Sequence, residues 1–179
     1  MQLWVPLMEW FVRLFLKASL AWLALGVTLG VAMAGHPVWT VYTAAHMHMV
    51  LLGFVTMMIY GVAYHVIPRF TGFPLHNRRA AGVHWWLSNV GLAMMVCGFI
   101  VRARQAGPGT VVLAMGGTLS AAGAYIFTYV IWRTVDGPVA MRRAVTRARE
   151  TATSRPASWL PLAGMPVEQA MREARPPIA

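Results

Sequence analysis

The chain has 179 residues, 58% of them hydrophobic, with 15 Lys and Arg against 5 Asp and Glu and a formal charge of +10. Its mean hydropathy of +0.57 excludes an ordinary cytosolic globular protein. No Asp or Glu lies between Glu9 and Asp136, and Cys97 is the single cysteine, so the apolar part excludes carboxylate-bridged metal centres, glycosidase pairs, Ser-His-Asp triads, carboxylate proton relays and disulfides.

Taken in chain order, Ala18 to Pro68 holds no charged side chain. At about 1.5 Å per residue this is enough for two crossings of a hydrocarbon core roughly 30 Å thick. Gly35-His36-Pro37 breaks it in two. Ala80 to Val101 is a third uncharged run, and Gln105 to Trp132, opened by Gly107-Pro108-Gly109, is a fourth. The reading is an all-α, integral membrane four-helix bundle with helices over 11–34, 40–67, 82–102 and 110–133. Arg13 and Lys17 followed by an apolar run and Ala32-Met33-Ala34 also resemble a secretory signal with a cleavage site, and its removal would leave the other three helices oriented as before.

The basic residues orient the bundle. Arg13, Lys17, Arg69, Arg78, Arg79, Arg133, Arg142, Arg143, Arg147 and Arg149 fall on one side and only Arg102 and Arg104 on the other, so both termini are expected in the cytoplasm of a bacterial inner membrane. Trp10, Trp85, Trp86 and Trp132 would mark the inner interface and Trp39 the outer one. Two regions result: 1–137, a four-helix transmembrane domain, and 138–179, a basic, Pro-rich cytoplasmic tail whose Val139 to Glu150 is amphipathic. Seven of the 15 basic residues follow Pro138, which suits membrane lipid as partner and not nucleic acid. Gly26 and Gly30, Gly91 and Gly98, and Gly116, Ser120 and Ala124 form small-residue stripes where helices touch.

Without carboxylates, the polar chemistry rests on six histidines: His36, His46, His48, His65, His76 and His84. His46 and His65 are separated by about 28 Å of helix and cannot share a metal, and His46 and His48 point to opposite sides. On regular α-helical geometry Val50, Gly53, Met57, Tyr60, Gly61 and Tyr64 lie within about 60° of His46. The glycines leave vacancies where a flat porphyrin would meet the backbone, bordered by Met57 and the tyrosines. His48 faces Leu51, Leu52, Val55 and Ile59 and suits a lipid-facing or core-packing role. A histidine bonded to a neighbouring helix is the structural alternative for His46.

His46, Gly61, Pro68 and the Gly72 that closes Pro68-Arg69-Phe70-Thr71-Gly72 resemble, in spacing, the second helix of heme-copper oxidase subunit I, and His84-Trp85-Trp86-Leu87 resembles the start of its third. The wording Tyr64-His65-Val66-Ile67-Pro68-Arg69 is closest to the C-family oxidases and nitric oxide reductases, and more loosely to haem-containing membrane proteins of the nitric-oxide response. The likeness covers about residues 40 to 100. It implies His46 as an axial ligand of a low-spin haem b near the outer face. The family's copper ligands, high-spin haem ligand and second low-spin ligand come from helices that have no counterpart here, so a self-sufficient oxidase is not expected.

The second axial ligand stays open between His36, Met33, Met115 and His46 of another copy. His65 and His84, at the inner ends of helices 2 and 3, are candidates for a second bis-histidine haem, with solvation at the headgroups as the other reading. The leading expectation is a small b-type cytochrome for electron transfer or gas sensing in a respiratory or denitrifying chain, as a homo-oligomer or within a larger respiratory complex. The alternatives are copper handling by Met33, His36, Met47, His48 and Met49, and a cofactor-free assembly subunit.

Overall fold

The computed structural model describes residues 8–154, all helices and connections. Helix α1 is Trp10–Gly35, α2 is the composite helix Pro37–Thr71, α3 is Arg78–Arg102 and α4 is Ala106–Ser154. All four are long and apolar enough to cross a membrane, and Leu20, Leu25, Val31, Leu51, Ile59 and Val111 stand exposed on them, as hydrocarbon contact requires. This is a multi-pass, all-α membrane protein.

Two helix ends differ from the sequence reading. Helix 2 was expected to stop at residue 67, yet α2 runs through Pro68 to Thr71 and closes on Gly72, which takes the left-handed conformation (φ 64°) that lets a glycine end a helix. The proline deletes one backbone donor, a loss that membrane helices tolerate, and the Arg69 guanidinium donates to the His65 carbonyl beside it. The fourth helix passes its expected end at residue 133 and continues over Pro138 to Ser154. The chain divides after Pro138 into two compact units. The described part of the second is helix, carrying Arg142, Arg143, Arg147 and Arg149 exposed.

Within the first unit, small residues set the helix contacts. Gly26 of α1 lies against Val50 of α2, where an added Cβ would come within 2.9 Å of Val50 Cγ2. Gly91 of α3 faces Ser120 and Gly116 of α4 so closely that a Cβ there would stand 2.7 Å from the Ser120 amide nitrogen. Lipid tails give helices no hydrophobic reason to associate, so close backbone approach and dispersion hold these pairs together. Phe11, Phe15, Met57, Tyr64, Leu92 and Val130 fill the buried core between them.

One end of the bundle is tied by polar contacts. Arg78, at the start of α3, pairs with Glu9 before α1. The Asn77 side chain caps α3 by accepting from the Ala80 amide at 3.0 Å, and the His76 amide donates to Thr134 Oγ1 of α4 at 3.1 Å. Arg69, Arg78, Arg79 and Arg133 therefore gather at this end.

Candidate functional site

Helix α2 is built in four pieces: a 3-10 stretch Pro37–Tyr42, an α-helical Thr43–His48, a π-helical Met49–Thr56 and an α-helical Met57–Thr71. His46 sits just before the π stretch. Its Nδ1 lies 2.9 Å from the Gly26 carbonyl of α1. A carbonyl only accepts, so Nδ1 carries the proton and Nε2 keeps its lone pair. The ring lies against Gly30, where a Cβ would meet His46 Cε1 at 2.9 Å. Read from the sequence as packing alone, the pair Gly26 and Gly30 is thus also the cradle of a histidine. The signal was the loop symmetry: Gly30 precedes the 36–42 connection and His46 follows it, so antiparallel helices bring them level.

His48 turns the other way, onto Phe99 of α3 with ring centroids 4.8 Å apart, and its Nδ1 donates to Ala44 O of its own helix at 2.8 Å. Of its two expected environments it has the packed one.

The glycine and tyrosine face expected around His46 is filled by packed side chains in the structure. Gly53 lies against Trp22 of α1, and Gly61 against Phe15 and Leu16 of α1, so side chains of α1 occupy the space that the sequence left vacant. Tyr60 and Tyr64 meet Phe15 of α1 too, and Tyr64 also Phe11, while both rings reach His84 of α3 and Phe127 of α4. Met57 is buried in the same core. The π stretch, with its i→i+5 bonds, places more residues in each turn than an α-helix does. The Thr56 hydroxyl donates to Leu51 O, five residues back, at 2.8 Å.

His84 is wholly buried. Its Nδ1 is 3.0 Å from the Tyr64 hydroxyl, and its ring is enclosed by Tyr60 at 4.5 Å, Phe15 at 4.9 Å, Phe127 at 5.7 Å and Tyr64 at 5.8 Å between centroids. His65 is not among its ring neighbours. It lines a separate cleft of about 400 Å³ with Glu9, Phe11, Tyr64, Arg69 and Arg78. The aromatic cage has no room for a porphyrin at His84. His36 caps the end of α1 and stands exposed beside Trp39, 5.4 Å away. Among the described residues, no three His, Cys, Asp or Glu side chains come together as a metal-binding group.

Sequence reasoning missed Ser88 and Gly123. Ser88 Oγ and His84 Nε2 are buried without a hydrogen-bond partner, and Gly123 of α4 lies against both. The available signal was the spacing: Ser88 is one turn on from His84, on the same face.

The helices and the polar seam inside them define a four-helix membrane protein with histidines at two levels of the bundle. No family model matches the chain. It is similar to the Cbb3-type cytochrome c oxidase subunit CcoN1 of Stutzerimonas stutzeri, 27% identical in a 152-position alignment that covers 68% of this chain and 32% of that protein. The chain thus aligns with about a third of the length of this distant relative.

Proposed function

We propose that the protein is a membrane subunit of respiratory electron transfer in which His46 serves as one axial ligand of a low-spin haem b. The observation that carries this reading is the bond from His46 Nδ1 to the Gly26 carbonyl. A histidine that ligates a metal through Nε2 characteristically donates its other N–H to a backbone carbonyl or carboxylate, which fixes its tautomer and its plane. The donor set at His46 fits an axial imidazole. The similarity to a cytochrome c oxidase subunit supports the same reading.

His46 would hold the iron, and Gly26 and Gly30 would hold His46: one by accepting its proton, the other by leaving room for the ring. Bound there, the haem supplies reversible one-electron storage. A second ligand to the iron would come from His36, Met33 or Met115, from a partner polypeptide in a larger complex, or from a second copy. His65 and His84 take no part, because the first lines the cleft and the second is caged by aromatic rings. The basic end of the bundle, with Arg69, Arg78, Arg79 and Arg133, faces the cytoplasm.

Absorption spectroscopy of the protein purified from a haem-sufficient membrane tests this. A Soret band is expected in the wild type, lost or strongly changed in His46→Ala and largely kept in His48→Ala. Equal loss in both variants, or loss only at His48, would overturn the assignment. A colourless wild type would favour an assembly subunit.

A further inference from the structure

The carboxylate-free interior contains a row of polar side chains, Tyr64, His84 and Ser88, that the haem reading does not use. It begins at the cleft, whose wall includes Tyr64. The Tyr64 hydroxyl meets His84 Nδ1 at 3.0 Å. Beyond the ring, His84 Nε2 and Ser88 Oγ are both buried and unpartnered. Ser88 then lines a cavity of about 20 Å³ with Thr56, Tyr60 and Ser120, together with Met57 and Leu92. His84 is 0% exposed and Ser88 5%. Two buried polar atoms without partners are costly, and the cavity beside Ser88 is large enough for one water, which normally satisfies such groups.

We propose that Tyr64, His84, Ser88 and a water held at the Ser88 cavity form a proton relay leading from the cleft into the middle of the bundle. The Tyr64 hydroxyl donates to His84 Nδ1, which leaves Nε2 as the protonated nitrogen, turned to Ser88 and the water. When a proton arrives at the Tyr64 oxygen from the cleft, Tyr64 passes its own hydroxyl proton to Nδ1. His84 Nε2 then gives its proton to the water. One proton enters and one leaves, and no electron moves. A ring flip or return of the proton along the same path restores the starting tautomer. The titratable groups that face His84 among the described residues are Tyr60 and Tyr64 of α2. Phe15 of α1, Phe127 and Gly123 of α4 and Ser88 of its own helix bring no charge, so the imidazole rests neutral and carries the positive charge only while the proton passes through it.

Gly123 keeps the inner step open. A Cβ there would stand 3.0 Å from Ser88 Oγ and 3.2 Å from His84 Cδ2, wedged beside the gap that the water must bridge. The relay is independent of haem at His46, so either reading can fail without the other.

The experiment uses the full chain with ¹⁵N-labelled histidine in lipid bilayers, read by water-edited solid-state NMR, with the His84 signal assigned by its loss in His84→Gln. The wild type should show a neutral ring protonated at Nε2, a cross-peak from water, and exchange of that proton when the sample is moved to D₂O. Tyr64→Phe should slow the exchange about tenfold or more, since a relay hydrogen bond is removed. Gly123→Ala, which leaves every donor and acceptor in place, should weaken the water cross-peak. The His46 and His48 signals report whether each variant is folded. A His84 proton that resists exchange in the wild type, or exchange unchanged in both folded variants, would overturn the proposal.

Discussion

Gly30→Ala tests the cradle around His46 at single-atom scale. The added methyl would lie 2.9 Å from His46 Cε1 and 3.3 Å from Nδ1. Carbon atoms in contact settle at about 3.5–4.0 Å, so the ring must retreat by roughly 0.5–1 Å. It cannot do so and keep Nδ1 at 2.9 Å from the Gly26 carbonyl. Overpacking costs about 1–3 kcal/mol and the hydrogen bond about 1 kcal/mol, giving a destabilisation of about 2–4 kcal/mol. Against this, any Gly→Ala change within a helix gains up to about 1 kcal/mol of propensity. Gly117→Ala measures that gain alone, because nothing lies within 4 Å of a Cβ at Gly117. Unfolding of the full chain in mixed micelles, followed by circular dichroism, should therefore separate the two variants. In a His46→Ala background the penalty at Gly30 should vanish, since the ring it strikes is gone, which makes the coupling energy the decisive number. Equal stability of Gly30→Ala and Gly117→Ala, or zero coupling to His46, would refute the contact and the tautomer inferred from it.

Other outcomes follow from the same geometry. In a Cys97→Ala background, an impermeant thiol reagent applied from the periplasmic side should label Gly107→Cys and miss Arg78→Cys; the reverse pattern would invert the topology read from the basic residues. Gly91→Ala should cost about 3 kcal/mol in the same micelle assay, because the new methyl meets the backbone of Gly116 and Ser120, which no rotamer change can relieve; a neutral effect would show that α3 and α4 are further apart. The purified, haem-loaded protein should cycle between reduced and oxidised forms without consuming oxygen, as an oxygen electrode will register; sustained turnover would refute the electron-carrier reading. Carbon monoxide added to the reduced protein should leave the Soret band in place if both axial positions are filled, and a shift would mark an open one.

The four apolar helices and the relation to an oxidase subunit were legible in the sequence, for reasons that are local. Uncharged runs of membrane length, broken at Gly35-His36-Pro37, state where the chain can cross hydrocarbon, because every charge inside would be costly. Gly107-Pro108-Gly109, by contrast, lies within the fourth helix, which begins at Ala106 and not at the expected 110. The spacing from His46 to Gly72 needs no tertiary information either. What the sequence did not carry was direction around the helix. A π stretch at Met49–Thr56 is not encoded by any residue pattern that distinguishes it from ordinary α-helix, and the rings that Tyr60 and Tyr64 meet come from α1, α3 and α4 together. The vacancies at Gly53 and Gly61 were read correctly as absent side chains, but only the packed bundle decides what enters them, and Trp22, Phe15 and Leu16 do. The same holds for His84. Its place near the start of an apolar helix was plain from the chain, while its enclosure by Tyr60, Tyr64, Phe15 and Phe127, with one ring nitrogen left buried and unpartnered, arises from three other helices converging on one ring. Membrane crossing is a property of each segment by itself, whereas a buried polar partner is supplied by whichever neighbour the small-residue contacts bring close.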